Sequence, residues 1–361
     1  MNDRTDMHQP KPFSLKVSNR SLIFIKYLSK LVLKRIGLSI PLLFGASFLS
    51  FGILRLGEAN PAALIAGPQA DAETIKRIGL ELGLDKSLLE QYFIYMKDLL
   101  SGNWGASWNS GIPVLEEVFN RIPATLELLL IGMTIGVVGG VALGFWSAKK
   151  PDGIFDNLTK GLSLIGVSMP IFWIGLLFIF ALSFRFQIFP PPLGRLGLFD
   201  IPPTDVTGFY TIDALLMGDI GMFFKVLYHL ALPALTIAVV AGSQVLKQSR
   251  ASTLEIMNSE NVRFYMSQGM SARKINRMIL QISSPTILTL VAMTTIYALA
   301  GSALVELIFS WGGLGQWGLN AITSLDYSVV QGYVLVLAIS SSTIFLLLDV
   351  AIAFIDKRRI Q

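Results

Sequence analysis

Leu126-Glu-Leu-Leu-Leu-Ile-Gly-Met-Thr-Ile-Gly-Val-Val-Gly-Gly-Val-Ala-Leu-Gly-Phe-Trp146 carries one charge, Glu127, next to its first residue. About 20 mostly apolar residues in a helix cover the hydrocarbon core of a bilayer. A helix also satisfies every backbone N–H and C=O within its own segment, which lipid demands. A barrel strand would alternate over about 10 residues, and this stretch does not. It therefore predicts a membrane-spanning helix. Five comparable runs cover residues 36–56, 162–184, 226–246, 287–309 and 329–355. Hydrophobic residues make up 53% of the 361-residue chain and charged residues 15%, against about 25% charged in soluble domains. The fold class is all-α integral membrane, with six transmembrane helices.

Direction follows from Lys and Arg, which collect on cytoplasmic segments. With the N-terminus inside, the inner segments 1–35, 147–160, 247–286 and 356–361 hold 20 of the 29. Both termini are thus expected in the cytoplasm, and the net charge of +5 reads as a topology signal with no call for nucleic acid. Residues 1–35 form the cytoplasmic tail, polar and with Pro10 and Pro12 at first, with a surface helix expected from Leu22 to Leu33. The run from Ile36 exceeds the 7–15 apolar residues of a cleavable leader and stays as an anchor. The chain has no Cys, and only His8 and His229 supply imidazole, so neither disulfides nor a metal site are expected.

Three segments outside the spans are long. The first outer loop, residues 57–123, contains Asp71-Ala-Glu-Thr-Ile-Lys-Arg-Ile-Gly-Leu-Glu-Leu-Gly-Leu, with acidic residues at its start and glycine at its end, as helix boundaries require. It also contains an amphipathic run from Leu88 to Leu99. The second outer loop, residues 185–225, carries Pro190-Pro191-Pro192 and Pro202-Pro203 and predicts an irregular lid. The inner segment 248–284 predicts a helix, a break at Gly269 and a second helix from Ala272, with Ser271 as its N-cap. Loops this long with their own helical pattern tend to be functional. Within the spans, Gly132, Gly136, Gly139, Gly140 and Gly144 predict close helix packing, with Gly136/Gly140 and Gly140/Gly144 as small-xxx-small pairs.

The inner elbow Glu260-Asn-Val-Arg-Phe-Tyr-Met-Ser-Gln-Gly269-Met-Ser resembles the coupling loop of the binding-protein-dependent ABC permeases, dipeptide/oligopeptide branch. Glu81-Leu-Gly-Leu-Asp85, Arg121-Ile-Pro-Ala-Thr-Leu-Glu-Leu128, Ser168-Met-Pro-Ile-Phe-Trp173, His229-Leu-Ala-Leu-Pro-Ala-Leu235, Val305-Glu-Leu-Ile-Phe-Ser-Trp-Gly-Gly-Leu-Gly315 and Asp326-Tyr-Ser-Val-Val-Gln-Gly332 resemble the same family, in family order. The resemblance runs from about Tyr27 to Arg359. It implies the type I ABC importer fold in the bacterial inner membrane, with residues 36–361 as the permease domain. The implied partners are a second permease subunit, one or two ATPase subunits and an external substrate-binding protein. It also implies that Glu260, Arg263, Tyr265, Ser267, Gly269 and Ser271 meet the ATPase. Thr207-Gly-Phe-Tyr-Thr-Ile-Asp213 resembles the peptide-carrying members, which implies di- or oligopeptide cargo; the alternative is the same architecture carrying an antimicrobial peptide, haem, polyamine or nickel. Tyr265 and Ser267 stand where the family usually has alanines, Ser284-Pro285 replaces Leu-Pro, and Trp311-Gly312-Gly313 replaces Trp-Pro-Gly. These departures imply a specialised ATPase partner.

The chain contains no Gly-x-x-x-x-Gly-Lys-Ser/Thr run, so ATP and Mg are expected on the partner ATPase and no cofactor or catalytic residue on this chain. Ionisable residues at membrane depth are functional candidates. Glu306, with Trp311 and Gly315 in the turn after it, marks a candidate outer gate. Glu127 and Arg185 lie at span ends, and Asp349 is expected to make a helix-packing hydrogen bond. Met169-Pro170 is expected to kink the third span. An intramembrane protease would need paired aspartates, Ser/His or His-Glu-x-x-His, and a secondary transporter would show inverted repeats; neither pattern is present.

Overall fold

The computed structural model describes residues 19–56, 61–67 and 69–355, and among them thirteen α-helices follow one another without a strand. Helices α1 (Asn19–Leu56), α5 (Val114–Ala148), α9 (Ile220–Met257), α11 (Ala272–Ile308) and α13 (Tyr327–Ile355) are long and apolar enough to cross a bilayer. The third crossing is a pair, α6 (Ile154–Ser168) and α7 (Ile171–Phe178), the latter continuing as a π-helical stretch to Arg185. The pair is bent by 110° at Met169-Pro170. Counted as one crossing, it brings the total to the expected six.

The bend is far larger than a kink and replaces the single run expected over 162–184. Pro170 lacks an N–H and pushes Met169 out of the helical region, to φ −91° and ψ 138°. Elsewhere proline is absorbed: Pro41, Pro123, Pro233 and Pro285 each lie inside a long helix. Neighbouring helices tolerate such breaks in membrane spans. The helices also overrun their apolar runs. α5 begins at Val114, inside the segment expected as outer loop, and α9 and α11 carry their inner ends into the expected inner loop. The surface helix expected from Leu22 to Leu33 is instead the first part of α1. Residues 1–18, 57–60, 68 and 356–361, including most of the expected polar tail, lie outside the described residues.

The centre is the contact of α5 with α9. A Cβ on Gly132, Gly136, Gly140 or Gly144 would stand 2.6–2.9 Å from backbone or side-chain atoms of α9. Backbones thus touch along four turns, and the glycine row serves packing within this chain. Gly139 faces open space. Around that seam a buried cluster joins Leu128, Met133, Leu230, Ile237, Leu299 and Trp311. α1 packs on α13, joined by Arg35 donating to Asp349.

The segments expected outside are ordered by polar clamps. α3 (Ala72–Glu81) starts on Asp71, whose carboxylate accepts the Thr74 N–H at 2.9 Å. α4 (Leu88–Leu100) starts with a capping box between Ser87 and Glu90, an arrangement that satisfies two first-turn donors reciprocally. Tyr92 and Tyr95 of α4 pack on Phe51 of α1, and burial raises the Tyr95 phenol above its ordinary pKa. Two further short helices, α2 (Pro61–Ala66) and α8 (Tyr210–Leu216), stand in the first and second outer loops.

Candidate functional site

The elbow is built as a helix–turn–helix between the last residues of α9 and the first of α11. α9 stops at Asn258, and Ser259 Oγ accepts the Val262 N–H at 3.5 Å to open α10 (Glu260–Ser267). Gly269 takes φ +74°, with Gly269 N–H donating to Met266 O at 3.0 Å and Met270 N–H to Tyr265 O at 3.1 Å. That pair of bonds is a Schellman motif, whose left-handed residue is normally glycine. Ser271 has the extended backbone of an N-cap, but its side chain makes no capping bond. The break at Asn258–Ser259 escaped the sequence, which showed only the one at Gly269.

One residue holds α10 down. Val262 is fully buried among Phe145 of α5 and Ile275 and Ile279 of α11. Every other residue of α10 is exposed, including Glu260, Arg263, Tyr265 and Ser267, as are Gly269 and Ser271. Phe264 is 59% exposed, Met266 49% and Tyr265 38%, so the elbow tip offers an apolar surface ringed by polar residues. Neither Phe264 nor Met266 was singled out from sequence, although both lie in the same short run.

Behind the elbow sits a charge clamp that sequence also missed. Asp156, fully buried on α6, accepts from Arg250 Nη2 at 2.8 Å, Lys160 Nζ at 2.8 Å and the Asp152 N–H at 2.8 Å. Arg250 belongs to the inner extension of α9, so the clamp ties that extension to the turn between α5 and α6. Its only signal in sequence is an acidic residue four positions after a Lys-Lys-Pro-Asp turn.

At the end expected to face outward the structure brings Glu306, Trp311 and Gly315 to one corner. Glu306 Oε1 accepts from Thr125 Oγ1 at 2.7 Å, and Oε2 accepts the Gln316 N–H at 3.0 Å. Thr125 Oγ1 in turn accepts the Leu314 N–H at 2.8 Å. α12 (Leu314–Thr323) has no side-chain cap of its own; its first-turn donors, left free at every helix start, are satisfied from α5 and α11. Gly313 permits this, because a Cβ there would be 2.6 Å from Glu306 Oε2. Gly315 lies on Ala303, its virtual Cβ 2.5 Å from the Ala303 Cα. Trp311 Nε1–H donates to Ala124 O at 2.9 Å. Glu306 and Trp311 are buried.

Two more carboxylates fasten the outer loops. Glu127 accepts from Arg195 Nη2 at 2.7 Å and from the Thr211 N–H at 2.7 Å. Arg195 also donates to Gly208 O and stacks 3.4 Å above the Tyr210 ring. Asp326 accepts from Ser107 Oγ at 2.7 Å and from the Trp108 N–H at 2.8 Å. Arg185 has its guanidinium 5.9 Å from the centre of the Phe186 ring. Between α7, α9 and α11 a cavity is lined by Ile171, Gln244, Thr294, Tyr297 and Gly301, with Tyr297 72% exposed.

Residues 140–361 match the family model of the binding-protein-dependent transport system inner membrane component, and residues 28–129 match the N-terminal model of the same transport systems. The chain belongs to this family. It is 33% identical over 331 residues to the dipeptide transport system permease protein of Escherichia coli K12, covering 91% of this chain and 97% of that protein. It is 37% identical over 314 residues to the di/tripeptide transport system permease protein of Pseudomonas aeruginosa UCBPP-PA14, covering 85% and 91%. It is 36% identical over 320 residues to a probable D,D-dipeptide transport system permease protein of E. coli K12, covering 87% and 92%. The chain is accordingly a multi-pass inner-membrane permease subunit of a binding-protein-dependent ABC importer, a non-catalytic component that works with an ATPase and a binding protein.

Proposed function

We propose that this permease forms half of a pathway for di- or oligopeptides and couples to its ATPase through α10. The observation that carries the coupling role is the division of that helix: Val262 is buried in the chain's own core, while Phe264, Tyr265 and Met266 are offered outward. An anchored lever with an apolar tip can transmit a rigid-body shift from a partner that changes shape with nucleotide. Glu260, Arg263, Ser267 and Ser271 border that tip, and Gly269 sets its angle. ATP and Mg bind the partner ATPase. Both termini lie in the cytoplasm, so α10 projects inward and residues 57–123 and 185–225 meet the binding protein outside. A second permease subunit closes the pathway along the face that carries Gln244, Thr294 and Tyr297. Glu306, Trp311 and Gly315 form the latch of an outer gate, in which α12 moves with its borrowed cap.

The peptide assignment rests on relatives at 33–37% identity that bear di- or tripeptide transport in their names. Proteoliposome uptake of a labelled dipeptide tests it. Uptake is expected only with ATP inside and with both ATPase and binding protein present; uptake that persists without the ATPase rejects the coupling role. Gly269→Val places a β-branched residue at φ +74°, where L-residues lose about 1–2 kcal/mol. It is expected to lower ATPase co-purification and uptake while leaving membrane insertion unchanged.

A further inference from the structure

Tyr27, Lys30, Leu31, Lys34, Arg35 and Leu38 of α1 follow the i, i+3, i+4, i+7 spacing that places residues on one side of a helix. All six line a cavity whose far wall is Asp349, Ile352 and Ala353 of α13. Its charges are unevenly matched. Arg35 is paired with Asp349 and stands 5.6 Å from the Phe345 ring centre. Lys30 and Lys34 are exposed and have no ion-pair partner among the described residues. The pocket sits where the basic first part of α1 passes into the apolar run that starts at Ile36. Leu33, 69% exposed, and Ile36, 51% exposed, stand at the same level, and such surface is covered by acyl chains once the helix is in a bilayer. Above them α1 continues as a mostly apolar span, and Phe24 and Phe354 meet edge-to-face at 5.2 Å at the opposite end.

A pocket with two unmatched cations, one internally matched pair and an aliphatic wall suits a ligand that is anionic at one end and apolar at the other. We propose that it binds the head group of an anionic phospholipid of the inner leaflet. The phosphate is held by Lys30 and Lys34, and an acyl chain lies along Leu31, Leu38 and Ile352. Basic pockets between helices on the cytoplasmic side suit such head groups. The inner-leaflet assignment rests on the inward orientation proposed above, whereas the binding site itself does not. Free inorganic phosphate would share the cations but leave the aliphatic wall unused.

The test is native mass spectrometry of the assembled transporter, released from nanodiscs of equal parts phosphatidylglycerol and phosphatidylcholine. Both leaflets then present the same lipids, so orientation does not affect the result. Wild type is expected to retain phosphatidylglycerol in preference to phosphatidylcholine. Lys30→Gln and Lys34→Gln are each expected to reduce that retention about fivefold, the weight of one cation near a membrane surface. Lys97→Gln, an exposed lysine on α4, is expected to change nothing. Equal retention in all three variants overturns the site, as does a wild type that shows no preference. Displacement of the lipid by millimolar inorganic phosphate overturns the lipid assignment. Both pocket lysines are exposed, so unchanged melting temperatures are expected and would separate lost binding from lost fold.

Discussion

Gly140 shows how little room one atom has in this chain. A methyl there would lie 2.6 Å from Gly242 O and 2.9 Å from Val245 Cβ, and neither neighbour is the loose end of a flexible side chain. Overpacking of this kind costs about 1–3 kcal/mol. Gly140→Ala is therefore expected to lower the melting temperature in detergent, while Gly139→Ala, which meets nothing within 4 Å, leaves it unchanged; equal melting of the two variants would refute the seam. Charge has a similar economy. Glu127 and Arg195 have side chains only 1% and 12% exposed, and removing one partner of such a pair typically costs about 3–5 kcal/mol. Arg195→Ala should therefore destabilise the protein and expose the second outer loop to protease, with cleavage in that loop as the measurement. Glu127 was visible in sequence as a charge at a span end. Its partner was not, because Arg195 lies 68 positions away in a proline-rich loop.

Helix α10 is the element on which coupling depends, and it is only eight residues long. A helix that short has marginal stability alone; it persists here because Ser259 and the turn at Gly269 close its ends and Val262 pins its middle. Val262→Asp would bury a carboxylate with no cation in its cluster, a cost of several kcal/mol. The damage is expected to stay local, since that cluster contains only residues of α5, α10, α11, the turn between α10 and α11, and the adjoining end of α9. Insertion should continue, the elbow should become protease-sensitive, and co-purification of the ATPase should fall by about tenfold or more, equivalent to ~1.4 kcal/mol. Retained co-purification would mean that the ATPase grips another surface. The α6–α7 pair teaches a different lesson. Met169-Pro170 was legible as a kink only; its 110° angle depends on what both halves pack against, and α6 and α7 each lie on α9.

The whole molecule offers a clean topology experiment because it has no native cysteine. Phe199, 99% exposed in the second outer loop, and Ser267, exposed on α10, are positions for single-cysteine variants. An impermeant thiol reagent is expected to label Phe199→Cys in intact cells and Ser267→Cys only after the membrane is opened; the reverse pattern would invert the orientation. Six crossings, their approximate places and the elbow glycine were all written locally. Transfer to lipid depends on a run of consecutive apolar side chains, and a left-handed turn depends on one residue without a Cβ. Helix ends were not so written: α5, α9 and α11 continue past their apolar runs, since polar residues extend a helix in water as readily as apolar ones do in lipid. Nor could the chain order alone pair Asp156 with Arg250, Glu127 with Arg195, or Glu306 with the start of α12. Those partners lie 94, 68 and 10 residues apart, and a carboxylate accepts from whichever donor the packed helices deliver to it. The tertiary structure alone made that choice.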